Sequence, residues 1–173
     1  VRSGSLIVDE EPSFNEFEVS ARIDSFCKIL LLNSKEIEII LHRLAYQLIE
    51  NHNDFKDSVL IGLQPRGTHL AKRLALILEN DYKVNNLKLG FLDITFYRDD
   101  FRRKDTPIIP SVTNLDFSIE NKMVILVDDV LFTGRTVRSG LDAIMAYGRP
   151  SKVELLTLIE RRFSHQIPLR PDY

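Results

Sequence analysis

The apolar positions of this 173-residue chain follow a helical period in three stretches. Residues 33–49, 70–78 and 137–145 carry apolar side chains at intervals of three and four, which predicts three amphipathic helices. Asn33 and Glu36 have the spacing of a capping pair at the start of the first helix. Gly and Pro follow the third stretch and predict its end.

Short apolar runs rich in β-forming residues lie between and after these helices. Residues 59–63, 122–127 and 153–159 therefore predict buried strands. Strands that alternate with helices are typical of an α/β domain with a mainly parallel sheet. Ligands of such domains bind beyond the carboxyl ends of the strands, which is where we expect a functional site.

A fourth apolar run, residues 87–97, is longer and becomes polar only towards its end. If the whole run is a strand, Asp93, Thr95 and Tyr97 share one face at period two. The next segment, Arg98–Asn114, is charged, holds two prolines and has no clear period. It predicts a mobile loop of a length that is often functional.

Residues 1–27 show no sustained periodicity, and part of the stretch has the composition of a linker. We expect one domain at residues 29–173, preceded by an extension at residues 1–28 to which we assign no role.

Composition narrows the class of protein further. Hydrophobic residues make up 44 % and charged residues 28 %, which is typical of globular domains and unlike disordered or disulfide-rich chains. The net charge of −2 excludes a strongly basic protein, so that any nucleic-acid site must be a local patch. Cys27 is the single cysteine, and no apolar run is long enough to cross a membrane. No secretory leader opens the sequence, and we expect a cytoplasmic protein without a membrane partner.

The stretch VILVDDVLFTGRT, residues 124–136, carries the strongest chemical pattern. A turn between a buried strand and a helix presents free amides at the positive end of the helix dipole, where phosphate binds well. Thr133, Gly134 and Thr136 suit such a turn, because glycine allows close approach and hydroxyls donate hydrogen bonds. Neither a Walker loop nor a dinucleotide fingerprint is present, which makes ATP and NAD poor ligands.

Two acids, Asp128 and Asp129, stand just before this turn. Carboxylates repel phosphate unless a donor satisfies them, and the vicinal hydroxyls of a ribose 5-phosphate are such donors. The alternative is that Asp128 caps the turn and Asp129 is solvated, which is the usual fate of acids at strand ends.

Residues 124–136 resemble, position by position, the thirteen-residue motif of type I phosphoribosyltransferases. The similarity continues through GLQPRG (62–67), DITFYRDD (93–100) and residues 141–162. From about Ile29 to Tyr173 the chain resembles the pyrimidine operon attenuator and uracil phosphoribosyltransferase family. The resemblance implies the type I phosphoribosyltransferase fold, in which helices flank a mainly parallel central sheet. It also implies transfer of the ribosyl group of 5-phosphoribosyl 1-diphosphate to uracil, giving UMP.

The resemblance further implies which residues act. Asp128, Asp129 and Arg66 are the expected catalytic residues, and Mg²⁺, held mainly by substrate oxygens and water, is the expected cofactor. The residues expected to bind substrate are Pro65, Arg66, Gly67, Asp93, Tyr97, Arg98, Asp128, Asp129, Val130, Leu131, Phe132, Thr133, Gly134, Arg135 and Thr136. Family members often have a cis peptide in the GLQPRG loop, which would lie here at Pro65–Arg66.

Some of these roles have alternatives. The alternative for Arg66 is a surface arginine in a turn. Asp93 would contact the metal through water, and the alternative, an acid at the end of a strand, is equally supported. Arg102 or Arg103 of the Arg98–Asn114 loop would touch the diphosphate if the loop closes, and otherwise the loop is solvated. No histidine has a placement that identifies a general base.

A second activity of the family is attenuation of transcription through binding of pyrimidine operon leader RNA. The residues of this chain that could form the basic surface are Arg43, Arg149, Lys152, Arg161, Arg162 and Arg170, with His42 and His165. The alternative is a solvated positive face, because RRFSHQ (161–166) departs from the usual glycine-containing stretch, and Tyr46 and Asn51 stand where a more basic helix is usual.

Family members continue beyond the position of Tyr173 with strands that form a hood over uracil, and those strands are not in this sequence. Backbone groups of residues 159–167 would contact the base. A homodimer or a higher homo-oligomer is expected. Two other functions remain open: an attenuator that senses nucleotides with little catalysis, and a phosphoribosyltransferase for a purine.

Overall fold

The structure, a computed structural model, describes residues 19–23, 27–97 and 112–173. The chain divides into two compact units, residues 1–40 and residues 41–173. Most of the Arg98–Asn114 loop, with Arg98, Arg102 and Arg103, lies outside the described residues.

The first unit contains an antiparallel hairpin that was not predicted. Strand β1 (Val19–Ile23) pairs with β2 (Cys27–Leu32). Its five-residue alternation, VSARI, is too short to stand out as a strand in the sequence. Helix α1 (Ser34–His52) begins in this unit and continues in the second, to which its residues 41–52 belong, and its predicted capping pair is confirmed. The amide of Asn33 donates to Glu36 Oε2 at 2.7 Å, and the amide of Glu36 donates to Asn33 Oδ1 at 2.9 Å.

The second unit is built on a four-stranded parallel sheet. Its elements are β3 (Ser58–Leu63), α2 (Gly67–Asn80), β4 (Leu89–Leu92), β5 (Met123–Leu131), α3 (Arg135–Ile144) and β6 (Lys152–Glu160). The strand order is β4-β3-β5-β6, and every pair is parallel. The predicted α/β architecture with a parallel sheet is therefore confirmed.

Strand β3 is buried at all six positions because layers cover both of its faces. Val59, Ile61 and Leu63 belong to the same core cluster as Val137 and Ile144 of α3. Helix α2 packs on β3 and β5 as well. The central position of β3 and β5 brings the loops that follow them to the middle of one sheet edge.

Two predicted strands have different lengths in the structure. Strand β5 was expected to end at Val127 but continues through both acids, because β6 supplies partners opposite Asp128, Val130 and Leu131. The run at residues 87–97 was expected to be one long strand, and this was wrong.

Strand β4 ends at Leu92, and a 3₁₀ turn covers Thr95–Tyr97. Asp93, Thr95 and Tyr97 consequently do not form one face of a strand. The cause is local: the amide of Thr95 donates to Asp93 Oδ1 at 2.8 Å, which turns the chain immediately after β4.

In the part of the chain that the structure describes, no helix is long and apolar enough to cross a membrane.

Candidate active site

A bend joins β5 to α3 at the central edge of the sheet. Gly134 begins the helix in the left-handed region, with φ of 84°, which glycine adopts without steric cost. The first helical hydrogen bond runs from the amide of Arg138 to the carbonyl of Gly134, at 2.9 Å. The amides of Thr136 and Val137 precede that bond, so the helix itself gives them no acceptor. Such amides, at the positive end of the helix dipole, are suited to an anion.

The bend opens into a cavity of about 220 Å³. The cavity is lined by Asp128, Val130, Leu131, Phe132, Thr133, Gly134, Arg135, Thr136, Val137 and Ser139. Asp128 therefore faces the same space as the hydroxyl-rich turn. An acid and a bend suited to an anion thus lie side by side. The predicted ribose phosphate site depends on this arrangement.

The two acids differ in their surroundings. Asp128 is only 6 % exposed, and its Oδ1 accepts the amide of Asp129 at 3.0 Å. Burial raises the pKa of Asp128 to about 7, with a further contribution from the negative charge of Asp129. The side chain of Asp129 is 24 % exposed, and its Oδ1 accepts the amide of Val130 at 2.8 Å. The pKa of Asp128 therefore lies well above that of an ordinary carboxyl, and any group that donates to it would favour its charged form.

The loop between β3 and α2 lies beside the acid pair. Arg66 Nη1 stands 3.8 Å from Asp129 Oδ2, and the arginine side chain is 78 % exposed. Gly67 is what allows the approach: a β-carbon at this position would lie 2.2 Å from the carbonyl oxygen of Val127 on β5. The hydroxyl of Thr68 donates to the carbonyl of Pro65 at 2.6 Å and closes the turn. The structure thus places Arg66 beside the acids in an exposed turn, and its role in catalysis stays a prediction.

The predicted cis peptide is one position earlier than expected. The cis bond is Gln64–Pro65, not Pro65–Arg66. The physical reason is that a bond preceding proline has only a small preference for the trans form, whereas a bond preceding arginine strongly prefers it.

The 3₁₀ turn after β4 reaches the same region through α3. The hydroxyl of Ser139, which lines the cavity, lies 3.1 Å from the carbonyl of Tyr97 and 3.0 Å from that of Arg135. Asp93 and Tyr97 are not among the residues lining the cavity. The role of Asp93 that the structure describes is to accept the amide of Thr95, and its contact with a metal stays a prediction.

The sequence reasoning missed Ser139. Its position, three residues after Thr136 and four after Arg135, places it on the same helix face as the bend, and this spacing was the available signal.

Comparisons with known proteins agree with this geometry. The phosphoribosyl transferase domain model matches residues 30–170. The bifunctional protein PyrR of Desulfosudis oleivorans is 43% identical over 146 residues, which are 83% of this chain and 78% of that protein. The bifunctional protein PyrR of Bacillus subtilis is 40% identical over 148 residues, or 84% of this chain and 81% of that protein.

The chain belongs to the phosphoribosyltransferase family, among its PyrR members.

Solved phosphoribosyltransferases share the fold of this PyrR-family chain. A hypoxanthine phosphoribosyltransferase of Staphylococcus aureus has a TM-score of 0.62 at 22% identity, covering 83% of this chain and 73% of its own. An HGPRT-ase of Leishmania tarentolae, in complex with GMP, has a TM-score of 0.64 at 16% identity, covering 83% and 76%. At these identities the likeness concerns the fold alone, and it confirms the predicted type I phosphoribosyltransferase fold.

The basic residues predicted for RNA do not form one cluster in this PyrR-family chain. Lys152 begins β6 and Arg161 follows its end, so they lie at opposite ends of a nine-residue strand. The guanidinium of Arg161 lies over the ring of Phe132, 4.2 Å from its centroid. Because Phe132 lines the cavity, Arg161 stands at the rim of the candidate active site.

Other basic side chains at these two ends have acidic neighbours. Arg162 Nε donates to Glu160 Oε2 at 3.0 Å, and Lys152 pairs with Glu154. Arg162, Glu160, His165 and Arg170 line a second cavity of about 360 Å³ at the carboxyl end of β6. Arg43 and Arg149 are exposed.

The donor set of the cavity is compatible with magnesium. In the described ranges no three His, Cys, Asp or Glu side chains come together as a metal cage. Mg²⁺ needs no such cage, because it is usually held by one or two carboxylates together with substrate phosphates and water. Asp128 lines the cavity and Asp129, the next residue of β5, does not, so the cavity itself offers one carboxylate and its neighbour a second.

Proposed function

We infer that this chain transfers the phosphoribosyl group of 5-phosphoribosyl 1-diphosphate to uracil, giving UMP and diphosphate, and that it regulates a pyrimidine operon through leader RNA. The single observation that carries the catalytic part is the cavity shared by Asp128 and the bend at Thr133–Thr136. The identity of 40–44% to bifunctional PyrR proteins supports both parts.

The bend is assigned to the 5-phosphate of the substrate. The amides of Thr136 and Val137 point from the start of α3, and the hydroxyls of Thr133 and Thr136 add donors without bulk. The acids are assigned to the 2- and 3-hydroxyls of the ribose. Donation from these hydroxyls favours ionised Asp128, so binding of the substrate would remove its proton.

The reaction breaks the bond between C1 and the diphosphate oxygen and forms a bond between C1 and N1 of uracil, whose N1 proton leaves. Positive charge develops on the ribose ring as the diphosphate departs, and the negative field of Asp128 and Asp129 stabilises it. Arg66 is assigned to the departing diphosphate, because its guanidinium lies on the β3 side of β5.

The base is assigned to the opposite side. In a displacement at C1 the entering and leaving groups occupy opposite faces of the ribose, and β6 flanks β5 on the side away from β3. Phe132 and Arg161 lie on that side, where an aromatic ring and a guanidinium can meet a flat base with carbonyl oxygens.

Mg²⁺, when bound, would neutralise charge on the diphosphate, and Asp128 and Asp129 are the residues that would hold it. Asp93, acting through water, remains a further proposed contact. The homodimer or higher assembly and the cytoplasmic location are kept as predictions.

A panel of four bases tests the catalytic proposal. Purified chain is incubated with 5-phosphoribosyl 1-diphosphate, Mg²⁺ and either uracil, hypoxanthine, guanine or orotate, and the nucleotide product is separated and quantified. We expect UMP from uracil and little product from the others. Product from hypoxanthine or guanine alone would show a purine enzyme, and no product from any base would remove the enzyme proposal.

RNA regulation is the second function, and the exposed Arg43 and Arg149 support it. We expect affinity for a pyrimidine operon leader RNA to fall steeply as salt rises, because phosphate contacts release counterions. Affinity that does not change with salt would count against these contacts. An attenuator with little catalysis would bind the RNA and give no UMP in the base panel.

A further inference from the structure

Residues 165–173, which we call the strap, connect the bend to the far side of the sheet. The amides of Gln166 and Ile167 both donate to the carbonyl of Thr133, at 3.1 and 3.2 Å. Arg135 Nε donates to Gln166 Oε1 at 2.9 Å. The strap therefore holds the bend by three hydrogen bonds, two of them on a single carbonyl.

These bonds fix the direction of one peptide group. In a trans peptide the C=O and the N–H point in opposite directions, so a Thr133 carbonyl that faces the strap turns the amide of Gly134 away from it. The strap also packs closely on this position: a β-carbon on Gly134 would stand 3.2 Å from the β-carbon of Ile167. The amide of Gly134, at the start of α3 and beside the amides assigned to the anion, is thus oriented by a segment that contributes no lining residue to the cavity.

The other end of the strap is held by hydrogen bonds of Asp172 and Tyr173 to the main chain of Leu155 and, in addition, by the hydroxyl of Tyr173. This hydroxyl accepts from Asn51 Nδ2 at 2.9 Å and donates to Glu154 Oε2 at 2.9 Å. The backbone of Tyr173 joins the edge of β6, since the amide of Thr157 donates to the carbonyl of Tyr173 at 3.1 Å. The tyrosine thereby ties the strap to both α1 and β6.

The anchor continues into the protein interior through a closed set of hydrogen bonds. Glu154 Oε2 lies 3.0 Å from His52 Nε2, and His52 Nδ1 lies 2.8 Å from the hydroxyl of Ser58. The side chains of His52 and Glu154 are 1% and 7% exposed. The tyrosine hydroxyl also lies 3.1 Å from His52 Nε2, so its loss would remove one partner each from Glu154 Oε2 and His52 Nε2 in a buried site, where lost polar contacts are costly.

We propose that Tyr173 is a positioning residue, whose anchored hydroxyl holds the strap and through it aims the amides of the Thr133–Thr136 bend at the 5-phosphate. The inference rests on the proposed function, because it assigns the bend to a phosphate. Tyr173 touches no reacting atom. Its effect is on the affinity for the phosphorylated substrate.

The test compares Tyr173→Phe with a matched control, Tyr147→Phe. Tyr147 is 51% exposed and lies after α3, away from the strap bonds. Calorimetry with ribose 5-phosphate measures binding at the bend without catalysis. We expect Tyr173→Phe to weaken this binding on the order of 3- to 10-fold, and Tyr147→Phe to leave it unchanged. In steady-state kinetics the KM for 5-phosphoribosyl 1-diphosphate should rise by the same factor, with kcat nearly constant.

Hydrogen exchange separates positioning from general loss of stability. In Tyr173→Phe the amides of Gln166 and Ile167, which donate to the carbonyl of Thr133, should exchange faster, while those of α2 keep the wild-type rate. Faster exchange spread equally over α2 and β3 would overturn the proposal. If Tyr173→Phe does not fold, Asn51→Ala removes one bond of the same hydroxyl at an exposed site, and it should weaken ribose 5-phosphate binding in the same direction.

Two outcomes distinguish this inference from the function on which it rests. If the wild-type chain itself does not bind ribose 5-phosphate, the assignment of the bend fails. If the wild type binds it and folded Tyr173→Phe binds equally well, the bend is retained and the role of Tyr173 is refuted.

Discussion

Gly67 and Val127 are in direct contact across the sheet edge, at a distance that no other residue at position 67 would permit. A β-carbon on Gly67 would stand 2.2 Å from the carbonyl oxygen of Val127 and 3.2 Å from the α-carbon of Asp128. The start of α2 is therefore pressed against the very stretch of β5 that carries the acids. This contact places Arg66, the residue before the glycine, 3.8 Å from Asp129.

Substitution Gly67→Ala should damage both stability and activity. Its methyl group meets main chain, which cannot rotate away, and we expect a loss of about 3 kcal/mol in the free energy of unfolding. Displacement of α2 from β5 should also move Arg66 away from the acids and lower kcat/KM. Urea unfolding and the UMP assay measure the two effects. The control Glu79→Ala, on the exposed end of the same helix, should change neither.

A second prediction concerns the stability of the fold against pH. The pKa of Asp128 is raised from its ordinary value of 3.8 to about 7, so the folded state binds a proton more tightly than the unfolded state. Its contribution to stability is complete below pH 3.8 and is lost as the pH rises through about 7. We expect Asp128→Asn to remove this loss and to be more stable than wild type at pH 8, by at most about 4 kcal/mol.

Urea unfolding at pH 5, 6, 7 and 8 checks this prediction. The difference between Asp128→Asn and wild type should grow from pH 5 to about 7 and then level off. The control Asp116→Asn, at an exposed position, should follow the wild-type curve. A constant difference between Asp128→Asn and wild type across the range would contradict the raised pKa.

The pH dependence of binding should have the opposite sign. If the ribose hydroxyls donate to ionised Asp128, the affinity for ribose 5-phosphate should rise with pH and level off above about 7. Neutralising its neighbour with Asp129→Asn removes a charge that raises the pKa of Asp128, which should move the rise to lower pH. Burial, the larger cause, remains in that variant, so the shift should be partial. Calorimetry across pH 5 to 8 gives the profiles, and an unchanged midpoint would refute the coupling.

The sequence predicted the parts of this fold that follow from a regular period. The helix at residues 33–49 and its capping pair, the buried β3 and the order of strands and helices all depend on patterns within one segment. The length of β5 depends instead on β6, which pairs with Asp128 and Val130 and extends the strand beyond its apolar run. β4 was predicted too long because the carboxylate of Asp93, which turns the chain, reads in the sequence as one more polar strand position.

The motif of the candidate site could be predicted from the sequence, whereas the contacts that hold the motif in place could be predicted only in part. Asp128 and residues 130–136, which line the cavity, lie within one short segment, so their pattern was visible in the sequence. Ser139 could have been found from helix spacing. The amides of Gln166 and Ile167 donate to the carbonyl of Thr133, which lies 33 and 34 positions earlier in the chain. Because these hydrogen bonds use backbone atoms only, the side chains in the sequence do not reveal them.

Arg66 offers a direct test of the assignment of the leaving group. Its side chain is mostly exposed, so Arg66→Gln should fold with little change in stability. Removing a charged donor from the departing diphosphate should lower kcat on the order of 100-fold. The comparison Arg138→Gln removes an exposed guanidinium from α3 and should leave kcat unchanged. Equal activity of Arg66→Gln and wild type would show that the diphosphate leaves elsewhere.

Arg161 separates the two proposed functions, because the sequence assigned it to RNA and the structure puts it at the rim of the cavity. Stacked on Phe132, its guanidinium faces the side of β5 that we assign to the base. We expect Arg161→Gln to raise the KM for uracil about 10-fold, through loss of a donor to a carbonyl oxygen, with little effect on leader RNA binding.

Arg149→Gln, at the opposite end of β6, should leave the KM for uracil unchanged and weaken RNA binding. It should lower the salt dependence of RNA binding by about one phosphate contact. Kinetics and filter binding on both variants give a two-by-two comparison. If Arg161→Gln weakens RNA binding and spares the KM for uracil, the arginine belongs to the RNA surface and the base lies on other residues.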